Sequence, residues 1–280
     1  MRYDEFSPAH PWAIERIWTL EGHARDLDGS LQPILPDGRP ELVVRFGDAF
    51  SRVSETGALV RQPGVLWAGQ LRRQLVVQPS GRISVVGVRF HPHAGRALLR
   101  TAQHELADCT PGLHELAPAL AAALERVRDS AATLTAAATD VERIVVRHID
   151  PARLDARIGW VVDTITRRRG LISVDAVAAT AGLTRRHLER RFREDVGISP
   201  KRFARIIRFQ RALQFLEQSD ASNRGALTAA ACGYADQAHF VRDFHDLAGT
   251  TPGMLLIAQA ALTGFFRSDG YTSARLIPKK

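Results

Sequence analysis

The chain has 280 residues, 45% of them hydrophobic, two cysteines and a formal net charge of +8. That length suggests about two domains with cores of their own, and two cysteines as far apart as Cys109 and Cys232 exclude a disulfide scaffold. No run approaches the roughly 18 apolar residues of a membrane span, and MRYDEFSPAHPW lacks the basic-then-apolar pattern of a secretion signal, so a cytoplasmic protein is expected.

The charge is unevenly placed. Residues 1–150 carry 17 Lys+Arg against 18 Asp+Glu, whereas residues 151–280 carry 21 against 12. A neutral half joined to a basic half points to a polyanion met by the second half alone.

Residues 1 to about 100 read as β structure. ELVVRFG, LWAGQ, QLVVQ and RISVVGVRF are short, rich in β-branched and aromatic residues, and separated by Gly and Pro. Pro36-Asp37-Gly38 marks one turn; Pro79-Ser80-Gly81 marks another and predicts that the last two strands form a hairpin. AGRALL, from Ala94, predicts a short helix. HELAPALAAALERVRDS, at 114–130, has Leu116, Leu120, Leu124 and Val127 on one stripe. Two readings stand for that stripe: it pairs two subunits, or it packs on its own β domain. Ala131–Thr139 is a low-complexity stretch, a connection or a weak helix, and Asp140–His148 predicts a short helix. Asp150 as cap and Pro151 as first residue predict another helix running to about Arg168, with Leu154, Ile158, Trp160, Val161, Val162 and Ile165 buried.

From Ser173 to Pro252 one helix-turn-helix unit is written twice. AVAATAGLTRRHLERRFREDVGISP ends at Pro200, and LTAAACGYADQAHFVRDFHDLAGTTP ends at Pro252. Gly182 aligns with Gly233 at an offset of 51; Leu188, Phe192, Gly197 and Pro200 align with Phe240, Phe244, Gly249 and Pro252 at 52. Each copy has an Ala-rich helix, a glycine that ends it, a cap (Thr184 or Asp236) and a second helix whose apolar residues lie four apart. The outward face of the first copy carries Arg185, Arg186, Glu189, Arg190 and Arg193; that of the second carries Gln237, His239, Arg242 and Asp243. Arg and Gln are side chains that bind base edges and phosphates. KRFARIIRFQRALQFLE joins the copies as a long helix, Ser219–Gly225 reads as a polar loop, Met254 to about Leu262 as a closing helix and Thr263–Lys280 as a frayed tail.

At these residues the chain resembles the DNA-binding domain of the AraC/XylS transcription regulators. The likeness covers about residues 155–257 and is most specific over GYADQAHFVRDFHDLAGTTP. It departs after the final proline, where most members carry an aromatic-bearing sequence and this chain has Gly253-Met254-Leu255. The resemblance implies that Arg186, Glu189 and Arg190 face bases, with Arg185 and Arg193 toward phosphate. In the second unit it implies Gln237, Ala238 and Arg242, with His239 beside them; Ala238 offers only apolar contact to a thymine methyl. The segments ILPDG…ELVV and GVRFHPHAGRALL resemble an N-terminal domain, thought to be cupin-like, found in a subset of these regulators.

The expected fold class is α+β: an N-terminal small β sandwich or barrel over 1–110, a helical linker and dimerisation segment over 111–150, an all-α double helix-turn-helix domain over 151–262 and a tail over 263–280. The expected function is sequence-specific regulation of transcription, reading two successive major grooves of double-stranded DNA. Within the family, activation through RNA polymerase is commoner than repression; a small-molecule effector and a homodimer are further expected partners. Trp67, Arg89 and Phe90, with Trp12 and Trp18, are candidate pocket residues, although large aromatics in a β domain are more often core. No catalytic constellation is found: no Gly-rich phosphate loop, no nucleophile elbow and no carboxylate pair with a geometry that can be argued. His91 and His93 form an HxH without a nearby Glu, which does not complete a metal site, so neither metal nor cofactor is expected. The alternatives are a cupin-type metalloenzyme domain tethered to DNA, and an oligomerising scaffold with incidental polyanion affinity.

Overall fold

The computed structural model describes residues 1–27, 31–218 and 224–261. Arg82–Phe90 forms the central strand, β9, of the N-terminal half, and its apolar sequence is buried on both faces. Its antiparallel neighbours are β2 (Ile14–His23) and β4 (Glu41–Arg45). With β1 (Arg2–Phe6) and β7 (Val65–Ala68) they make a sheet in the order β1-β2-β9-β4-β7. A second sheet has the order β3-β8-β5-β6, from Gln32–Ile34, Leu75–Gln78, Ser51–Val53 and Leu59–Arg61. Leu20, Phe50, Val77, Ile83 and Val85 pack between the sheets, giving the expected small sandwich.

The predicted hairpin does not form. β8 pairs with β3 and β5 in one sheet, while β9 lies in the other. The Pro79-Ser80-Gly81 turn carries the chain between sheets instead; Asp48 fixes its far side by accepting the Arg82 amide at 2.6 Å.

Helix α1 (Gly95–Leu99) follows β9. The helix expected from 114 to 130 is two: α2 (Leu113–Leu116) and α3 (Pro118–Ser130). Pro118 forces the residue before it out of helical geometry, and Ala117 has φ −151°. The Ala/Thr stretch is helical from Leu134, where Thr133 caps α4 (Leu134–His148). Leu120, Leu124, Val127, Val141 and Val145 join Val65, Trp67, Val86 and Phe90 in one core. The stripe therefore packs on its own β domain.

Asp150 caps only a single tight turn, Pro151–Arg153. The helix proper, α5 (Ala156–Arg167), begins five residues after the predicted position under a second cap, Asp155. Ile158, Val161, Val162 and Ile165 are buried, but Trp160 is exposed. There follow α6 (Val174–Thr180), α7 (Arg185–Val196), α8 (Pro200–Gln218), α9 (Arg224–Ala231), α10 (Gln237–Ala248) and α11 (Pro252–Ala261). Part of the predicted Ser219–Gly225 loop, and the Thr263–Lys280 tail, lie outside the described residues. Helix α8 reaches both units: Phe203 meets Phe192 of α7 at 5.7 Å, and Phe209 meets Phe244 of α10 at 4.8 Å between ring centroids. Among the described residues no helix is long and apolar enough to cross a membrane.

Candidate nucleic-acid interface and inner cavity

The repeat is realised in the backbone. Thr184 caps α7 by accepting the His187 amide at 3.2 Å, and Asp236 caps α10 by accepting the His239 amide at 2.6 Å. Gly182 and Gly233 have φ +67° and +72°; Gly197 and Gly249, which end α7 and α10, have φ +97° and +66°. An L-residue pays for these left-handed positions and glycine does not. Leu188, Phe192, Phe240 and Phe244 are fully buried, which fixes the opposite face of each helix toward solvent.

On α7 that face shows Arg185, Arg186, Arg190 and Arg193, with Glu189 half-buried. Arg185 is tied to Asp175 (3.2 Å) and Glu189 (3.1 Å), and Arg190 to Glu194 (3.3 Å). Exposed pairs of this kind are weak and exchange easily for phosphate or base partners. On α10 Gln237, Ala238 and Arg242 are exposed, and His239 stands edge-on to the Tyr234 ring at 5.3 Å. Asp243, expected on the outward side, turns inward. It is buried and accepts from Arg205 at 2.7 Å, with Arg208 at 3.5 Å. Its position beside Phe244 puts it on the α8 side, where two arginines compensate its charge.

The β domain holds the C-terminal ends of both these helices. Arg96 of α1 pairs with the buried Asp195 of α7 at 2.9 Å, and Gly197 lies against the Gln103 backbone. At the equivalent place in the second unit, the Gln74 amide donates to the Leu247 carbonyl at 2.9 Å, and the Gln74 side chain lies against Gly249. Arg202 of α8 bridges the Arg72 carbonyl and Asp246.

A cavity of about 110 Å³ lies between the two sheets. Leu20, Phe50, Leu66, Leu75, Val77 and Val85 make its apolar wall. Alternation along the strands decides which polar residues enter it. Glu41, Val43 and Arg45 of β4 line it, and so does Arg89 of β9. Arg89 donates to Glu41 at 2.7 Å and lies 3.6 Å from Asp37. Burial opposes its charge, but Glu41 and Asp37 outweigh burial and hold its pKa above the ordinary value. Arg39 donates to Glu15 at 2.6 Å. Burial pushes the Asp37 carboxyl up, against the pull of Arg89 and Arg39. Trp18 also lines the cavity, its indole filling the space over Gly87 and its Nε1 donating to Glu41 at 3.3 Å.

The five proposed pocket residues therefore divide. Arg89 and Trp18 line the cavity. Trp67 and Phe90 do not: they are on the other face of the sheet, in the core under α3 and α4, with ring centroids 5.2 Å apart. Trp12 is exposed. The His91 and His93 rings lie 6.3 Å apart between centroids but have different partners, and among the described residues no third metal-ligating side chain joins them. His91 Nε2 meets the Pro11 carbonyl at 2.8 Å, while His93 packs against Gly159 of α5.

A family model described as a helix-turn-helix domain matches residues 177–256, and one described as a domain of unknown function matches residues 7–111. The HTH-type transcriptional activator RhaS of Shigella boydii is 31% identical over 94 residues, 34% of this chain and 32% of that protein. RhaS of Escherichia fergusonii is 32% identical over 101 residues, 36% and 34% of the two chains. The chain thus spans about a third of the length of the curated relatives it matches. A probable AraC family transcriptional regulator from Rhodopseudomonas palustris, of known structure, is 26% identical, covering 37% of this chain and 97% of that one, with a TM-score of 0.34. The C-terminal domain is of the AraC/XylS helix-turn-helix type.

Of the nine residues expected at DNA, Arg185, Arg186, Arg190, Arg193, Gln237, Ala238 and Arg242 are exposed on α7 and α10, and Glu189 and His239 are half-buried there. The sequence reading missed Arg45, Asp37, Arg39 and Glu41 around the cavity. A signal for them was present. In ELVVR, Glu41 and Arg45 share the strand face with Val43, so charged residues stand at alternate positions that a sandwich turns inward.

Proposed function

We propose that the chain is a sequence-specific DNA-binding transcription regulator, acting in the cytoplasm and without catalytic activity of its own. Helices α7 and α10 are its two recognition helices and enter successive major grooves. Arg186, Glu189 and Arg190 face bases from the first, and Gln237, Ala238 and Arg242, with His239 beside them, from the second. Arg185 and Arg193 hold phosphate. The observation that carries this reading is the repeated cap–helix–glycine geometry, which leaves two equivalent helices with polar outer faces on one basic domain.

The cavity of the β domain is the effector site in this reading. Residues 35–39 support a link from it to DNA binding. Leu35 packs in the core of the DNA-binding domain, Pro36 accepts from Gln210 of α8 at 2.6 Å, and Asp37 and Arg39 line the cavity. The name of the curated relatives, transcriptional activator, favours activation, and contact with RNA polymerase is the route this reading gives it. A homodimer would use a surface other than the α3 stripe, which is already buried.

Retention of genomic fragments by the full-length protein at near-physiological salt tests the proposal. A shared motif in two segments about one helical turn apart is expected. Retention without any motif would overturn it, since phosphate contact alone carries no sequence information.

A further inference from the structure

The three arginines in the cavity wall are not alike. Arg89 and Arg39 have carboxylate partners, Glu41 and Glu15. Arg45 has none among the described residues. It donates to two neutral acceptors, the Gln62 Oε1 and the Pro63 carbonyl, each at 2.7 Å, and its Nε has no acceptor. Its guanidinium carbon lies 4.7 Å from the centre of the Phe50 ring. Arg45 is nonetheless only 4% exposed. Burial, and then the nearby Arg128, draw its pKa down to about 10, which still leaves it charged at neutral pH.

A buried cation without a counterion is costly, and charges in protein interiors are as a rule paired. The surroundings are arranged to tolerate this one. Thr110 receives the Gln62 amide at 3.2 Å, which leaves the Gln62 oxygen for Arg45. Arg128, itself paired with Glu125, donates to the Arg45 carbonyl at 2.6 Å, and its charge does nothing to compensate that of Arg45. The rest of the nearby wall is apolar: Phe50, Leu66, Val77 and Val85.

We propose that the cavity binds a small apolar monoanion, a carboxylate whose charged group pairs with Arg45 and whose body lies between the sheets. The inference rests on reading the β domain as the effector domain and names the ligand class for that site. The opposite end explains why one charge and not two. Glu41 lies four residues along β4 from Arg45, about 13 Å away at strand rise, and it and Asp37 already occupy Arg89, so that end offers no free cation for a second anionic group. Size sets the body. A cavity of about 110 Å³ is somewhat smaller than the engineered apolar cavity of about 150 Å³ that takes up benzene, so the body is no larger than a single ring or about six carbons.

The test is a calorimetric titration of the full-length protein, without DNA, by phenylacetate and hexanoate and by their neutral amides, phenylacetamide and hexanamide. Wild type should bind at least one acid at least tenfold more tightly than its amide. In Arg45→Met the acid should lose that advantage, with acid and amide within about twofold. Equal affinity for acid and amide in wild type, retention of the preference in Arg45→Met, or no binding of either acid would each overturn the proposal. If Arg45→Met does not fold, the acid-to-amide ratio in wild type decides alone. DNA is absent from the titration, so its result is independent of whether α7 and α10 read sequence.

Discussion

Gly38 of the β domain lies against Phe203 of α8: a Cβ added at Gly38 would stand 2.7 Å from Phe203 Cε2, and the residue holds φ +83°. Two requirements meet at one position, a left-handed backbone and space for a ring. Phe203 is itself fully buried and touches Phe192 of α7. The loop that contributes wall residues to the cavity is thereby seated on the helix that joins the two DNA-binding units.

Replacing Gly38 should loosen that seat. Gly38→Val combines strain at a positive φ, of order 1–3 kcal/mol, with overlap on Phe203. We expect the urea midpoint to fall, and trypsin to cut between the domains faster than in wild type. An unchanged midpoint would mean that the loop moves away from α8 at no cost.

The Arg96–Asp195 pair holds the end of α7. Asp195 is 2% exposed, so its burial raises its pKa, against Arg96 and Arg191. Arg96→Met leaves the carboxylate with Arg191 at 3.7 Å as its remaining ion-pair partner and should cost about 1–3 kcal/mol. Asp195→Asn in the same background should recover part of that loss, because the unpaired charge is gone. A double-mutant cycle by urea denaturation measures it, and a coupling near zero would refute the clamp.

His93 predicts a pH dependence. Burial, and then His91, draw its pKa down to about 4, with Asp163 and Asp155 pulling the other way. The unfolded chain protonates histidine near pH 6.5. Between about pH 6.5 and about pH 4 the unfolded state therefore binds more protons, and stability falls as pH falls, by at most about 1.4 kcal/mol per pH unit. Above that window the contribution is constant. In His93→Asn the stability profile should be flatter across the window; equal slopes in variant and wild type would show that other groups set the acid response.

What the sequence made legible was local. Thr184, Asp236, Gly197 and Gly249 act through their own backbone or the next three residues, so their roles could be read without knowing the fold. What it hid was non-local. Pro79-Ser80-Gly81 is a sound turn, yet whether β8 and β9 then pair depends on β3, β5, β2 and β4, which lie far along the chain. Asp155 was obscured as a cap by Asp150-Pro151, a stronger local signal that closes only one turn. Trp67 and Phe90 look like pocket aromatics until alternation assigns a face: Leu66, Ala68 and Arg89 turn to the cavity and their neighbours to the helices.

The last prediction separates base reading from phosphate binding on α7. Arg190 is exposed and, among the described residues, is held by Glu194 alone at 3.3 Å, so DNA can take it over at little cost. Arg186 and Arg190 lie four apart on the same helical face, whereas Arg185 is turned toward Asp175 of α6. If Arg190 is bidentate to a guanine, Arg190→Ala should cost about 1–3 kcal/mol at one base position and leave other positions of the site unchanged. Arg185→Ala should instead weaken binding to all sequences alike and lower the salt slope by about one. Competition binding over a set of single-base site variants at two salt concentrations reads both quantities. A uniform loss for Arg190→Ala would move it from the base-facing set to the phosphate-facing one, and would leave Arg186 and Glu189 as the base readers of the first helix.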